Sequence, residues 1–403
     1  MRKIVALMSL LIVALFGYAG RGIGELVATE HIDSASVAVM IVDLHNDSVL
    51  ESFNATKSMI PASVMKAVTI GSLIGSTGID YRYSTRVYMC GDVVKGVLNG
   101  NLLIVGGGDP SLNAQSGPQS GDIVEECVNA LKKEGVNQIK GDIKVNQSIF
   151  PAPSVHPTWA MEDLKYGYGA GCFGINFENN CHTKGSQSYS MANPAATMIR
   201  RIKEACGNAG IVIDGMTLND ANSRKLIVDH RSATIDEIMR HCMRVSDNLY
   251  AESMLRTLAM VEGQSATTAN GVELENKMWR GKNLSFNGVN IVDGSGLSRT
   301  NRMTATFLTD VLKEMSGNVD YVSFFPLAGQ EGTLKSFLKD TELDSYIALK
   351  TGSMRGIQCY AGYKLDDDYA PTHVVVIMIN NFKCSRSIVR ELCEKMLLKT
   401  FIQ

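Results

Sequence analysis

Ser63 and Lys66 stand three positions apart in the stretch IPASVMKAVT, residues 60–69, where most neighbours are apolar. On a helix, residues i and i+3 lie one above the other, so the lysine amine can reach the serine hydroxyl. Burial disfavours the charged form of a lysine, and a neutral amine beside a hydroxyl is a base beside a nucleophile. Taken alone, the pair is more simply read as an N-cap serine followed by a lysine whose stem covers apolar surface. Two further stretches bear on the choice. VSDNLYAE places Ser246, Asp247 and Asn248 at a break between helical patterns, and LKTGSM places Lys350, Thr351, Gly352 and Ser353 at the end of a strand-like run.

S-x-x-K, S-D-N and K-T-G, in that order, are the motif set of penicillin-binding proteins and class A β-lactamases, which the chain resembles in all three. That resemblance gives each residue a task. Ser63 attacks a carbonyl, and Lys66, kept neutral by burial and by the charge of Lys350, takes its proton. The backbone N–H groups of Ser63 and Ser353 form an oxyanion hole. Ser246 relays a proton to the leaving amine, while Asn248 holds the substrate amide and orients Lys66. Lys350 and Thr351 suit a substrate that ends in a free carboxylate. Gly352 lets a substrate backbone lie close to the strand. For Asp247, substrate binding and a structural role stay equally open.

The spacing narrows the family. Ser63 and Ser246 are 183 positions apart, a gap far longer than in class A β-lactamases. Longer segments extend the likeness over most of the chain: IPASVMK, GNLLIVGGGDPSL, GDIKVNQSIF, PTWAMEDLKYGYGA, SDNLYAE, DGSGLSRTNRMT and GTLKSFL. The chain therefore resembles the class C low-molecular-mass penicillin-binding proteins, the D-alanyl-D-alanine carboxypeptidase/endopeptidases with a large insertion between their first two motifs. The resemblance implies an α+β, penicillin-recognising fold: an antiparallel sheet flanked by helices, carrying an inserted α/β domain. It implies peptidoglycan stem peptides as substrates and β-lactams as covalent inhibitors at Ser63, with no metal or cofactor. Two departures stand out. Only a short stretch separates FGINFENN from NPAATMIRRIKE, where family members often carry a second inserted domain. Asn146 also stands where the family often has an aspartate that reaches the substrate's side-chain amine, which weakens charge recognition there.

Two rival readings set the contrast. A serine β-lactamase needs the same acylation apparatus plus fast deacylation, and no segment reads as the glutamate loop that class A enzymes use. A non-catalytic peptidoglycan-binding protein would have lost a motif residue, and all are present.

The elements that must hold these residues can be read from periodicity. ASVAVMIVDL and VLESFN form a hairpin around Asn46 and Asp47. A helix opens at Ser63 and ends near Gly78. Residues 121–135, 193–210, the paired run 232–260, NRMTATFLTDVLKEMSG and SRSIVRELCEKMLLKTFI are amphipathic helices. SYIALKTGS, QCYAGYKLD and THVVVIMINNF are strands, which with the first hairpin suffice for one antiparallel sheet. The expected organisation is a catalytic domain of residues 20–83 and 233–403 with an insertion at 84–232.

Composition bounds the partners. With 45% apolar and 20% charged residues over 403 positions, the chain is an ordinary globular protein of more than one domain. A formal charge of -2 supplies no basic footprint for nucleic acid. The first residues are a cationic start at Arg2 and Lys3, an apolar run from Ile4 to Phe16, and small residues at Gly17 and Ala19. That is the layout of a leader peptide cut after Ala19, so export to the periplasm is expected, soluble or resting on the membrane surface. Losing Arg2 and Lys3 from 39 basic residues leaves 37 against 41 acidic ones, a net charge of -4. A homodimer remains open. Nine cysteines are an odd count; Cys127, Cys206, Cys242 and Cys393 sit in apolar helical patterns and read as buried thiols. Cys172, Cys181 and His182 could form a disulfide or part of a metal site, although no second ligand pair completes a tetrahedral set.

Overall fold

The computed structural model describes residues 20–32, 35–118, 120–218 and 223–402; the expected leader, residues 1–19, lies outside them. The chain gathers into two compact units. One comprises residues through Gly75, Arg240–Asp247 and Val272 onward; the other comprises Ser76–Met239 and Asn248–Gly271.

Valine-rich Ser36–Asp43 is buried on both faces, as a central strand must be, and so reads as a near-continuous apolar run rather than an alternation. It pairs antiparallel with Pro371–Asn380 on one side and Val49–Phe53 on the other. The first unit's sheet has the order Ile347–Met354, Ile357–Leu365, Pro371–Asn380, Ser36–Asp43, Val49–Phe53. Hence the K-T-G strand is an edge strand. One face of the sheet, with Val39, Ile41, Tyr360, Val375 and Ile377, packs against Val389, Cys393, Met396 and Leu397 of the last helix, Arg386–Phe401. Tyr363 points to the other face and donates to the carbonyl of Leu312 (2.8 Å) on helix Ala305–Met315.

Helix Met65–Thr77 lies deep within this unit: Met65 to Ile74 are all buried. An all-round apolar helix needs buried partners for its few polar groups. Ser72 accepts from the Trp279 indole (2.9 Å), and Thr69 donates to the carbonyl of Gly294 (2.9 Å).

The second unit is built on a mixed sheet. Strands Arg224–Arg231, Ser84–Val94 and Val97–Val105 run antiparallel, and Val97–Val105 continues parallel with Gln138–Ile139 and Ile143–Asn146. Helices Ile123–Lys133 and Pro194–Asn208, started by Asp122 and Asn193 as N-caps, bury Cys127, Leu131, Met198 and Ile202 against it. Helix Asn248–Val261 also gathers here, beyond the 84–232 span that the sequence suggested. Its polar groups meet that unit: Thr257 shares a hydrogen bond with the Tyr83 hydroxyl (3.0 Å), and Arg256 donates to the carbonyl of Pro151 (2.9 Å). The short stretch after FGINFENN is a two-stranded hairpin, Cys181–Lys184 with Gln187–Ser190. All nine cysteines are free thiols. Cys172 lies against the Ser253 hydroxyl (3.3 Å), and His182 stacks on Tyr189.

Candidate active site

Ser63 sits in a single 3-10 turn, Ala62–Val64, that runs directly into helix Met65–Thr77. Ala62 has φ 47°, a left-handed conformation that a residue with a side chain adopts only at a cost. Tertiary contacts hold it there: a Cβ added at Gly296, itself at φ 80°, would lie 2.0 Å from the Ala62 carbonyl oxygen. The helix then carries Lys66 round to the same side. Its Nζ donates to Ser63 Oγ (3.0 Å) and to the carbonyl of Ser295 (2.8 Å), with the lysine fully buried.

Ser295 belongs to the loop DGSGLS, residues 293–298. Asp293, fully buried, ties this loop by accepting from the backbone N–H of Gly296 (2.8 Å) and Ser298 (2.7 Å) and from the Asn301 amide (2.7 Å). Sequence reasoning quoted this segment but assigned it no task. Its Asp, Ser and Gly composition marks a turn, but only the fold brings it under the lysine.

Ser246 occupies the break between helices Ile235–Val245 and Asn248–Val261, again with a positive φ of 65°. That conformation ends the first helix and aims the hydroxyl at Lys350, whose Nζ donates to Ser246 Oγ (2.9 Å) and to the Thr351 carbonyl (2.9 Å). Lys350 is fully buried. Burial first, then the neighbouring charge of Lys66, holds its amine well below the ordinary lysine range, against a smaller opposing pull from Cys242. Two buried amines, each on a serine hydroxyl, thus stand close enough for one to act on the charge of the other.

The K-T-G strand passes close to Ser63. A Cβ at Gly352 would lie 2.6 Å from the Pro61 carbonyl oxygen and 3.0 Å from the Ser63 nitrogen, so only glycine lets this strand pass the turn. Thr351 donates its hydroxyl to Thr333 (2.8 Å), and Ser353 donates to Gln358 across the hairpin (2.6 Å). Residues 326–328 pair with the start of the strand: Ala328 N–H donates to Ile347 (2.7 Å) and Leu349 N–H to Pro326 (3.2 Å).

The remaining candidates are placed as follows. Asp247 has its carboxylate 3.9 Å from His241, and its carbonyl accepts from Cys242 (3.3 Å). Asn248 opens its helix, and its amide nitrogen donates to the Tyr168 carbonyl (2.8 Å). Asn146 ends the strand Ile143–Asn146, where its Oδ1 accepts from the backbone N–H of Ser148 (2.9 Å). It lines a cleft of about 290 Å³ together with Ser148, Gln264 and Ser265.

The D-Ala-D-Ala carboxypeptidase 3 (S13) family matches residues 21–187 and 179–397. The carboxypeptidase DacB of Mycolicibacterium smegmatis is 26% identical over 360 residues, 83% of this chain and 74% of that one. Among solved structures, penicillin-binding protein 4 (dacB) of Haemophilus influenzae superposes with a TM-score of 0.78 at 21% identity, covering 93% of this chain and 97% of that one. The same protein complexed with a β-lactam superposes with a TM-score of 0.74 at 20% identity and covers the same shares.

Proposed function

The chain belongs to the D-Ala-D-Ala carboxypeptidase 3 (S13) family, and we propose that it cleaves the terminal D-Ala-D-Ala bond, or the D-Ala cross-link, of peptidoglycan stem peptides through an acyl-enzyme on Ser63. The observation that carries this reading is the pair of amine–hydroxyl contacts, Lys66 to Ser63 at 3.0 Å and Lys350 to Ser246 at 2.9 Å.

The chemistry follows from those contacts. Lys66 takes the Ser63 proton as Oγ adds to the carbonyl carbon of the penultimate D-alanine. The backbone N–H groups of Ser63 and Ser353 stabilise the oxyanion, a role that the close passage of Gly352 over the Ser63 nitrogen supports. When the C–N bond breaks, the leaving amine takes a proton through Ser246, which Lys350 supplies from behind. Water then adds to the acyl carbon, its proton passing through Ser246 to Lys350, and Lys66 returns its proton to Ser63 Oγ as the acyl bond breaks. A lysine whose proton affinity is lowered by burial gives up its proton more readily than a free one, which suits this shuttle. Thr351 and the edge of strand Ile347–Met354 beyond residue 349 offer hydroxyl and backbone groups to the substrate's carboxylate and main chain.

β-Lactams enter the same scheme as amide mimics whose acyl-enzyme on Ser63 hydrolyses slowly. The leader-like residues 1–19 support a periplasmic location, and among the described residues no helix is long and apolar enough to cross a membrane. The direct test is release of D-alanine from a diacetyl-L-Lys-D-Ala-D-Ala tripeptide. Release that is abolished by Ser63→Ala supports the reading; release unchanged in that variant overturns it.

A further inference from the structure

Glu51 is the one acidic residue on strand Val49–Phe53, and it faces inward, 1% exposed. Its carboxylate accepts from the backbone N–H of Gly22 (2.6 Å), from that of Ile23 (3.2 Å) and from the Thr400 hydroxyl (3.0 Å). Among the described residues no cationic side chain forms an ion pair with it; Lys399, the neighbour of Thr400 in sequence, is taken by Glu25 (2.5 Å). A buried carboxylate held only by neutral donors is costly, and a cation at hydrogen-bond distance would relieve that cost.

Gly20 lies beside it. A Cβ added at Gly20 would stand 2.4 Å from Glu51 Oε2 and 2.2 Å from the Leu50 carbonyl oxygen. By covalent geometry the Gly20 nitrogen is then within about 5 Å of that carboxylate oxygen. Gly22, two residues on, is equally tight against Thr400 and Glu51, and Ile23 and Leu26 are locked into the core. Independently, the leader pattern puts its cut between Ala19 and Gly20, with small residues at Gly17 and Ala19. Two unrelated observations thus meet at one atom, the Gly20 nitrogen.

We propose that removal of the leader creates an ammonium at Gly20 that pairs with the buried carboxylate of Glu51 and fastens the mature chain start to the sheet. A leader peptidase hydrolyses the Ala19–Gly20 amide with one water. The carboxylate leaves on Ala19, and the amine stays on Gly20, protonated at neutral pH as an α-amino group is. Before the cut that nitrogen is a neutral amide and cannot supply the charge. The pairing needs the export reading for its first step and is independent of the acyl-transfer chemistry.

The test has two readings. The full chain is expressed in an exporting bacterium, and the mass of the mature protein is measured; the proposal requires a start at Gly20. The chain starting at Gly20 is then melted beside one that carries Ser-Ala ahead of Gly20, each with and without Glu51→Gln. The free amine should raise the melting temperature by roughly 2–4 °C over the extended chain, and Glu51→Gln should erase that difference. Native protein should also methylate at the Gly20 amine more slowly than urea-unfolded protein, a reading that needs no variant. A mature start elsewhere overturns the proposal at the cut. A start at Gly20 with equal melting of the two chains, a difference that survives Glu51→Gln, or methylation as fast as in urea overturns it at the pairing alone.

Discussion

Ser63 and Lys350 make opposite demands on the protein. The Ser63 hydroxyl is a small group at a partly open turn, so Ser63→Ala should leave the melting temperature unchanged while abolishing acylation, which covalent labelling and calorimetry check together. Lys350 is different. Its folded proton affinity lies well below the ordinary value of 10.5, so between the two the unfolded chain binds more protons than the folded one, and stability rises with pH through that window. Lys350→Met should therefore flatten the stability–pH slope and raise stability at pH 7 by about 1 kcal/mol, as removal of a buried charge does, while acylation is lost. Melts at pH 7 and pH 9 check both parts.

The two left-handed residues and the two tight glycines are properties of elements. Ala62 and Ser246 each end or begin a helix at the point where a hydroxyl must leave it. Gly352→Ala would push a methyl into the Pro61 carbonyl and Ser63 nitrogen and displace one oxyanion donor. A fall of about 10²–10³ in acylation rate with the overall fold kept is expected, read by stopped-flow trapping of a chromogenic β-lactam. Asp293→Ala would strand three buried donors under Lys66, costing about 3 kcal/mol of stability and slowing acylation, as denaturant melts and the same trapping assay would show. These elements also mark what the sequence yields. Periodicity placed the hairpin, the three late strands and the helices that bear Ser63 and Asn248, because each buries one face or all faces. It passed over helix Thr268–Gly281, whose first turn carries Gly271, a poor helix former. In the fold, a Cβ at Gly271 would lie 2.4 Å from the Leu255 carbonyl, so the glycine is there for close approach. The Ser295 carbonyl was equally illegible, since a backbone atom leaves no residue-type signature.

Across the whole molecule, the division of labour differs from a simple insertion. The chain crosses between its two units at Asp247 and Asn248, so the S-D-N motif belongs partly to each. Motif order singled out Ser63, Lys66, Ser246 and Lys350, but periodicity alone could not say that the helix after the motif packs with Tyr83, Cys172 and Pro151; that depends on single buried hydrogen bonds. The cysteines, read as a disulfide question at Cys172 and Cys181, resolve into packing groups, with burial pushing the Cys172 thiol up to about 11. Asn146 spends its side-chain oxygen on the backbone N–H of Ser148 and brings no charge to the cleft it lines. Asn146→Asp should accordingly raise kcat/KM for stem peptides with a free side-chain amine relative to acetylated ones, checked by D-alanine release from the matched pair.

The central claim is the acyl-enzyme on Ser63, and intact-mass spectrometry of the mature protein during incubation with benzylpenicillin tests it most directly. The account predicts a single adduct of the mass of penicillin, mapped to Ser63 and persisting for many minutes. An unmodified protein with the penicillin intact would contradict it, as would rapid loss of penicillin with no adduct, which would make the chain a β-lactamase.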